Sequence, residues 1–352
     1  MYRQDDRVLP AYAGLATFLR SPAVSLDEVV EGLRVVVGVP FDGGCGSRPG
    51  ARFGPHAIRY SSLHLHYYAS SSPDPVMVDL ETGERFDLGV GAGSARGAAA
   101  GSAPAAGGLA DYGDVSVYPS SPERTAASVE DALRRLAGRG AVPLVLGGDH
   151  YVTYPAVRGV VAGLADRLGL RPEEVRLGYV HVDGHFDLGS DNAIYGRHFH
   201  GTTARLVSEL PSVGLGRMAW LGQRGFVRRE QWEFVRRENL RYWTAADIRR
   251  RGPAEAAREA LEFVAGAPAG EPGVHGLYVT IDIDVVDVTE APGTGAIHFG
   301  GLTASEFLAL VSGLRDERVV ALDLVEVAPP YDPSERTARL AALALVRFLA
   351  SP

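Results

Sequence analysis

Several kinds of residue are scarce in this chain, and each scarcity excludes a class of protein. Cys45 is the single cysteine among 352 residues, so an internal disulfide and a cysteine-rich zinc site are excluded. The formal net charge of -8 lacks the basic excess that a nucleic-acid partner usually requires. No apolar run reaches the roughly 18 residues of a membrane span, and the N-terminal residues do not resemble a secretory signal. We therefore expect a cytoplasmic protein that binds neither nucleic acid nor a membrane.

Apolar and amphipathic segments alternate along most of the chain. With 46% hydrophobic residues, the chain can bury a substantial core. Apolar runs that suit buried strands lie at 33–39, 142–146, 177–182, 218–221, 277–283 and 319–325. Helical patterns lie at 123–139, 153–168, 228–239, 253–265, 303–314 and 334–349. This alternation predicts an α/β protein whose parallel sheet carries helices on both faces.

A segment of unusual composition interrupts the alternation at residues 91–110. It consists almost entirely of Gly, Ala and Ser, with one Arg. Such side chains cannot bury enough surface to offset the entropy of ordering, so we expect a flexible surface loop. Because the alternation resumes after Asp114, we do not interpret the loop as a boundary, and residues 1–352 are expected to form a single domain.

The most informative motif places three potential metal ligands at every second residue. Asp183, His185 and Asp187 come directly after the apolar run 177–182. Residues two apart on extended chain point the same way, so these side chains can converge just past the end of a strand. Two carboxylates and an imidazole at one point repel and desolvate each other unless a cation is present. The motif therefore predicts a metal site.

Three further segments carry polar groups directly after a predicted strand, at the end where open α/β sheets bind ligands. His150 follows run 142–146 through a Gly-Gly-Asp turn, Asp282 and Asp284 follow the apolar residues 277–281, and Glu326 follows run 319–325. A single pair of this kind is as often a turn or a helix cap as a ligand pair. Their repetition at equivalent strand ends favours a shared site. The neighbouring Asp149 and Asp287 are expected to orient ligands or to cap turns.

Two imidazoles and four carboxylates exceed the needs of one ion and suit two, provided that one or two carboxylates bridge. This donor set has no thiolate and favours Mn²⁺, whereas Ni²⁺, Co²⁺ and Fe²⁺ are also compatible and Zn²⁺ is less favoured. Two adjacent metal ions can activate water for attack on an electrophilic carbon. The chemistry indicated by the residues alone is hydrolysis.

The motifs together resemble the ureohydrolases, the arginase and agmatinase group. The matching motifs are Gly147-Gly148-Asp149-His150, Asp183-x-His185-x-Asp187, His200-Gly201-Thr202, Asp282-Ile283-Asp284-Val285-Val286-Asp287 and Ala291-Pro292-Gly293-Thr294-Gly295. Three further segments resemble the agmatinase-like branch in particular, namely residues 39–44, 48–55 and 326–332. The resemblance runs in order from about Val37 to the C-terminus.

The resemblance implies a three-layer α/β/α fold with a mainly parallel eight-stranded sheet. It also implies a homo-oligomer, a trimer or a hexamer, and two Mn²⁺ ions at which a guanidino group is hydrolysed to urea and an amine. One ion would bind His150, Asp183, Asp187 and Asp282. The other would bind His185, Asp183, Asp282 and Asp284, so that Asp183 and Asp282 would bridge.

Three residues would have catalytic roles by the same resemblance. His200 matches the histidine thought to shuttle a proton to the leaving amine. Glu326 can hold the guanidinium by paired hydrogen bonds. Glu326 and His200 are also the expected substrate-binding residues. Asp187 is the third expected catalytic residue, in addition to its place among the metal ligands.

Departures from the family pattern concern the surroundings of the site. Gly184 stands where the family commonly has Ala, and Ala-Ile-His-Phe at 296–299 replaces a more usual Thr-Pro-Glu-Pro. Arg197 and His198 could pair with a substrate carboxylate, although a solvated loop is the favoured interpretation. Cys45 is expected to be a packed residue or a pocket neighbour. Because of these differences, the sequence does not specify the chemical nature of the part of the substrate beyond its guanidino group.

Agmatine is the leading substrate on branch resemblance. Guanidinobutyrate, guanidine, arginine and a specialised metabolite with a guanidino tail are the alternatives of the same class. A metal-dependent deacetylase is a second enzyme class, which usually keeps one metal ion. A catalytically silent binding or assembly subunit is a third interpretation, against which the complete ligand set argues.

Overall fold

The computed structural model describes residues 16–70, 76–80, 83, 85–87, 107–191, 193–266 and 273–350. The strands are β1 (Arg34–Gly38), β2 (Val76–Val78), β3 (Arg85–Asp87), β4 (Leu109–Asp114), β5 (Val142–Leu146), β6 (Leu177–Val182), β7 (Met218–Leu221), β8 (Arg241–Trp243), β9 (Gly276–Asp282) and β10 (Val319–Val325). The helices are α1 (Gly54–Ser70), α2 (Pro122–Gly138), α3 (Thr153–Leu168), α4 (Thr203–Ser208), α5 (Arg229–Arg237), α6 (Ala245–Arg251), α7 (Pro253–Ala265), α8 (Ala304–Gly313) and α9 (Arg336–Leu349).

Eight strands form one parallel sheet in the order β4-β1-β5-β10-β9-β6-β7-β8. The short strands β2 and β3 form a separate antiparallel pair. The predicted eight-stranded parallel sheet is confirmed.

The sheet is buried on both faces because its central strands are mostly apolar. On β6, Val180 and Val182 belong to one hydrophobic cluster, whereas Leu177 and Tyr179 belong to another. The first cluster contains residues of α7, α8 and α9, and the second contains residues of α2, α3 and α4. Alternate side chains thus enter opposite layers, as the pleat of a strand requires. The predicted three-layer α/β/α architecture follows.

The differences from the predicted elements are confined to weak patterns. Strand β4 begins at Leu109, so the predicted loop at 91–110 is wrong for Leu109 and Ala110, which are buried in the sheet. A Gly-rich flank and Gly113 inside the strand obscured its pattern. Residues 91–106 lie outside the described residues, and the loop stays a prediction there.

The topology brings the candidate site residues to one edge of the sheet. Strands β5, β10, β9 and β6 are consecutive neighbours. Because all four are parallel, their carboxyl ends meet at the same edge, and the polar segments that follow them are adjacent. Among the described helices, none combines the length and apolarity needed to cross a bilayer.

Candidate metal centre and active site

His150 stands at the start of a short 3-10 turn directly after β5. The preceding Gly148 has no space for a side chain, because a Cβ atom there would lie 1.7 Å from the Phe41 carbonyl oxygen. Asp149 then caps the turn by accepting a hydrogen bond from the Tyr151 N–H at 3.1 Å, and it also accepts one from the Gly44 N–H at 2.6 Å. The predicted capping role of Asp149 is confirmed. The turn directs His150 towards the ends of β6 and β9.

Three carboxylates converge on the Nδ1 atom of His150. This atom lies 3.2 Å from Asp183 Oδ2, 3.1 Å from Asp187 Oδ2 and 3.2 Å from Asp282 Oδ2. It is buried and makes no hydrogen bond, so none of these contacts has hydrogen-bond geometry. Four donor atoms that face a common point without bonding one another are the arrangement expected around a cation.

A second group forms around His185. Its Nδ1 atom lies 3.2 Å from Asp183 Oδ1 and 3.0 Å from Asp284 Oδ2. Asp183 therefore presents one oxygen to each imidazole, as the predicted bridging ligand would. Asp282 directs Oδ2 towards His150, while its Oδ1 accepts a hydrogen bond from the Asp284 N–H at 2.8 Å. A bridging role of Asp282 stays a prediction.

Burial and mutual repulsion give this cluster its electrostatic character. Burial raises the pKa of Asp282 well above its usual range, and the neighbouring Asp284 and Asp183 raise it further. Burial and Asp183 likewise raise the pKa of Asp187. Carboxyl groups with a raised pKa hold their protons unless metal ions take the place of those protons. The imidazole and carboxylate donors suit two ions of the Mn²⁺ class by their chemistry as well as by their distances.

The backbone holds two of the site residues in an uncommon conformation. Asp187 has φ 50° and Glu326 has φ 64°, both in the left-handed region that favours glycine. Strain of this kind persists where the surrounding structure fixes it, and it is frequent at functional sites.

His181, which lies inside the apolar run of β6, was not among the predicted site residues. Its Nε2 atom lies 3.0 Å from Asp183 Oδ2, and its Nδ1 atom lies 3.1 Å from the Tyr179 hydroxyl. The ring also stacks on that of His150, with centroids 4.7 Å apart. His181 thus holds the Asp183 carboxylate in place from the buried side of the site. A polar residue at a fully buried strand position was the signal that could have identified it.

Thr280 and Asp323, also missed, support His150. The His150 Nε2 atom lies 2.9 Å from the Thr280 hydroxyl, which in turn donates to Asp323 Oδ1. The Tyr278 hydroxyl donates to the other oxygen of Asp323 at 2.7 Å. All of these groups are buried. With Nε2 engaged below, the Nδ1 atom of His150 is left facing the carboxylates.

His200 and Glu326 contact each other beside the cluster. The distance from His200 Nδ1 to Glu326 Oε1 is 2.8 Å, and the same oxygen accepts a hydrogen bond from the His150 N–H at 2.9 Å. The Gly46 N–H lies 3.2 Å from His200 Nε2. Burial opposes the imidazolium, but Glu326 outweighs it and raises the pKa of His200 to about 9. Burial, with Glu326 adding to it, raises the pKa of Asp149 to about 8.

The remaining candidates take ordinary structural positions. Arg197 pairs with Glu209 at 3.0 Å, and His198 contacts the Tyr151 hydroxyl at 2.5 Å. Asp287 accepts hydrogen bonds from the Thr289 and Gly300 N–H groups and so fixes a turn. Burial raises the pKa of the Cys45 thiol to about 11, which suits a packed residue.

Comparison with known proteins identifies the family. The sequence model of the Arginase family matches residues 34–350. The chain therefore belongs to the arginase family. It is 34% identical to proclavaminate amidinohydrolase of Streptomyces clavuligerus over 344 residues, which are 97% of this chain and 94% of that protein. It is 30% identical to guanidinobutyrase of Pseudomonas aeruginosa, with 97% of this chain and 93% of that protein covered.

Further comparisons agree with this assignment. The chain is 31% identical to agmatinase of Bacillus subtilis, with 94% of each protein covered. The solved structure of the Streptomyces clavuligerus amidinohydrolase superposes with a TM-score of 0.75 at 30% identity over 97% of this chain and 98% of that chain. The predicted family and fold are thus confirmed, and so is membership of a family of hydrolases.

Proposed function

We propose that this arginase-family chain is a dinuclear-metal amidinohydrolase that converts a guanidino compound to urea and an amine. The observation that carries the proposal is the placement of Asp183, whose two oxygens face the two imidazoles His150 and His185 at 3.2 Å each. The expected ligands are His150, Asp183, His185, Asp187, Asp282 and Asp284. When bound, the two ions would lower the pKa of a water molecule and supply a nucleophile near neutral pH.

Glu326 is the group that holds the substrate. A guanidinium is planar and cationic, and a carboxylate matches it with two parallel hydrogen bonds. The His150 N–H and the His200 ring fix Oε1 of Glu326 from two sides, so its orientation is set before the substrate arrives. Such positioning lowers the entropic cost of bringing the guanidino carbon to the nucleophile.

His200 supplies the proton that the leaving amine needs. Water adds to the guanidino carbon, the bond from carbon to the substituted nitrogen breaks, and that nitrogen leaves as an amine. With a pKa of about 9, His200 carries a proton at neutral pH. Its Nδ1 atom stays on Glu326, so Nε2 is the atom that gives the proton, and the 3.2 Å contact with the Gly46 N–H has to relax.

Substrate identity, metal identity and assembly stay predictions of the sequence. The relatives are named for agmatine and for guanidino acids, so agmatine remains one candidate among guanidino compounds. Mn²⁺ is the leading ion, with Ni²⁺ and Co²⁺ as alternatives. A trimer or hexamer is expected on the family resemblance, and a cytoplasmic location is expected on the composition of the sequence.

A urea-release assay tests the proposed function. Purified protein loaded with Mn²⁺, Ni²⁺ or Co²⁺ is offered agmatine, guanidinobutyrate, arginine, guanidine and butylguanidine. We expect stoichiometric urea and amine from at least one compound. Absence of urea with every compound and metal would sink the proposal and favour a deacetylase or a silent subunit. Acetyl-lysine peptides in a parallel assay separate those two.

A further inference from the structure

The metal cluster opens to solvent beside His185. The His185 side chain is 34% exposed, whereas those of His150 and Asp183 are 1% and 0% exposed. Asp284, which faces the same imidazole, is also buried. A substrate whose guanidino group reaches the cluster therefore leaves its remaining atoms on the His185 side.

Arg224 lies next to this opening because Gly184 leaves room for it. A Cβ atom at Gly184 would lie 2.2 Å from Arg224 Nη1, so the guanidinium occupies the space that a side chain would take. Its Nη2 donates a hydrogen bond to the Asp284 carbonyl oxygen. Its Nε and Nη1 atoms are buried and have no hydrogen-bond acceptor. The Arg224 side chain as a whole is partly buried. Unpaired donors on a cation are costly, and the approach of an anionic acceptor stabilises them.

His298 extends the same edge towards solvent. Its ring lies against that of His185, with centroids 4.8 Å apart and an interplanar angle of 72°. An imidazole carries at least one N–H donor, and Arg224 is near enough to His298 to act on it electrostatically.

The site is thus acidic at one end and cationic at the other. Glu326 is buried at the end where the guanidinium binds, and Arg224 lies at the opening. The basic residues that the sequence suggested for a substrate carboxylate are engaged elsewhere, since Arg197 pairs with Glu209. A ligand with a cation at one end and an anion at the other matches this polarity.

We propose that Arg224 and His298 form a carboxylate subsite, so that the preferred substrates are ω-guanidino acids rather than agmatine. This inference rests on the proposed function. The guanidinium binds at Glu326, and the carboxylate lies towards the Arg224 charge and the His298 N–H. Agmatine would bring an ammonium group to the same cation, where like charges repel.

Three substrates of similar length test the subsite: guanidinobutyrate with an anionic tail, butylguanidine with a neutral tail and agmatine with a cationic tail. We expect kcat/KM for guanidinobutyrate to exceed that for agmatine by about tenfold or more, with butylguanidine between them. Agmatine hydrolysed as well as guanidinobutyrate would overturn the subsite. Added salt should reduce the preference, because screening weakens both attraction and repulsion.

Two variants assign the preference to these residues. In Arg224→Gln the ratio of kcat/KM for guanidinobutyrate to that for agmatine should fall about tenfold. In His298→Glu, an exposed position where folding is not at risk, the ratio should fall further and favour agmatine. The matched control is Arg229→Gln, since Arg229 is exposed on α5 and pairs with Glu233. The control should keep the wild-type ratio, and bound metal is measured for each variant.

The outcomes separate the two proposals. If no compound yields urea, the proposed function fails and the subsite fails with it. If urea is released but the ratio favours agmatine, or does not change in Arg224→Gln and His298→Glu, the function stands and the subsite is refuted.

Discussion

Thr280 links two parts of the molecule that lie far apart in sequence. Its hydroxyl lies 2.9 Å from His150 Nε2 and donates to Asp323. Thr280 lies in β9, His150 lies in the turn that follows β5, and Asp323 lies in β10. The hydroxyl thereby sets which ring nitrogen of His150 faces the metal ligands. In metal sites, partners of this kind typically change metal affinity about 10–100-fold when they are removed.

Replacement of Thr280 tests this link. Thr280→Val keeps the shape but removes the hydroxyl. His150 Nε2 then loses this partner and Asp323 Oδ1 loses its hydrogen bond from Thr280, while the Tyr278 hydroxyl still donates to the other Asp323 oxygen. We expect a loss of metal affinity of about 10–100-fold, measured by competition titration of metal-free protein. Thr280→Ser keeps the hydroxyl and should stay within a few fold of wild type. Equal affinity in the Val and Ser variants would contradict the role.

The protonation of His200 gives a pH prediction. Its pKa is raised to about 9, so the protonated form predominates at neutral pH and is lost as the pH rises through about 9. If this proton reaches the leaving amine, kcat should fall on the alkaline side of that value. His200→Asn should lower kcat by about 10²-fold or more and abolish the alkaline limb. A limb unchanged in the variant would show that another group titrates.

Spacing and strand-end position were sufficient to predict the six metal-ligand candidates. His181, Thr280 and Asp323 could not be found in this way, because each lies inside an apolar run. Their proximity depends on the register of the sheet, in which Thr280 is paired with His181 on one side and with Asp323 on the other. Strand order across long connections is not readable from local pattern, and so the contacts among these supporting residues appear only in the structure.

At the scale of elements, helices α2 and α3 pack closely through glycine. A Cβ atom at Gly159 would lie 2.5 Å from the Glu130 carbonyl oxygen and 2.8 Å from the Leu133 Cβ. The first of these is backbone and cannot move without shifting α2. The absence of a side chain at this position therefore sets the separation of the two helices.

Gly159→Ala should destabilise the protein despite the higher helix propensity of Ala. Overpacking typically costs about 1–3 kcal/mol, and the propensity gain offsets at most ~1 kcal/mol. We expect the free energy of unfolding to fall by about 1–2 kcal/mol in urea denaturation at saturating metal. The control is Gly138→Ala in α2, where the nearest atom would lie 3.8 Å away. Both variants behaving alike would argue against close packing.

The elements with long or continuous patterns were predicted well, and the short ones were not. Strands β5, β6, β7 and β10 begin and end as the apolar runs indicated. Strand β8 was missed because Arg241–Trp243 has only three residues and an exposed Arg. Helix α1 was missed because it opens Gly-Pro and carries scattered histidines, which gives no clear apolar stripe.

For the whole molecule, metal binding and stability should be coupled. The sheet brings the buried carboxylates Asp183, Asp282 and Asp284 close to one another and to the partly buried Asp187, which is unfavourable without cations. A metal ion that binds only the folded chain stabilises it in proportion to RT ln(1 + [L]/Kd). Chelation should therefore lower the thermal unfolding temperature, and Mn²⁺ should restore it. Asp183→Ala, which removes the shared ligand, should lose most of this metal-dependent stabilisation.

The central claim is that two ions together carry the hydrolysis of a guanidino compound. The most direct measurement is the rate of urea release as Mn²⁺ is added stepwise to metal-free protein with a substrate that the panel identifies. We predict a rate that rises to a plateau at two equivalents per chain. A plateau at one equivalent, or urea release independent of added metal, would contradict the dinuclear account.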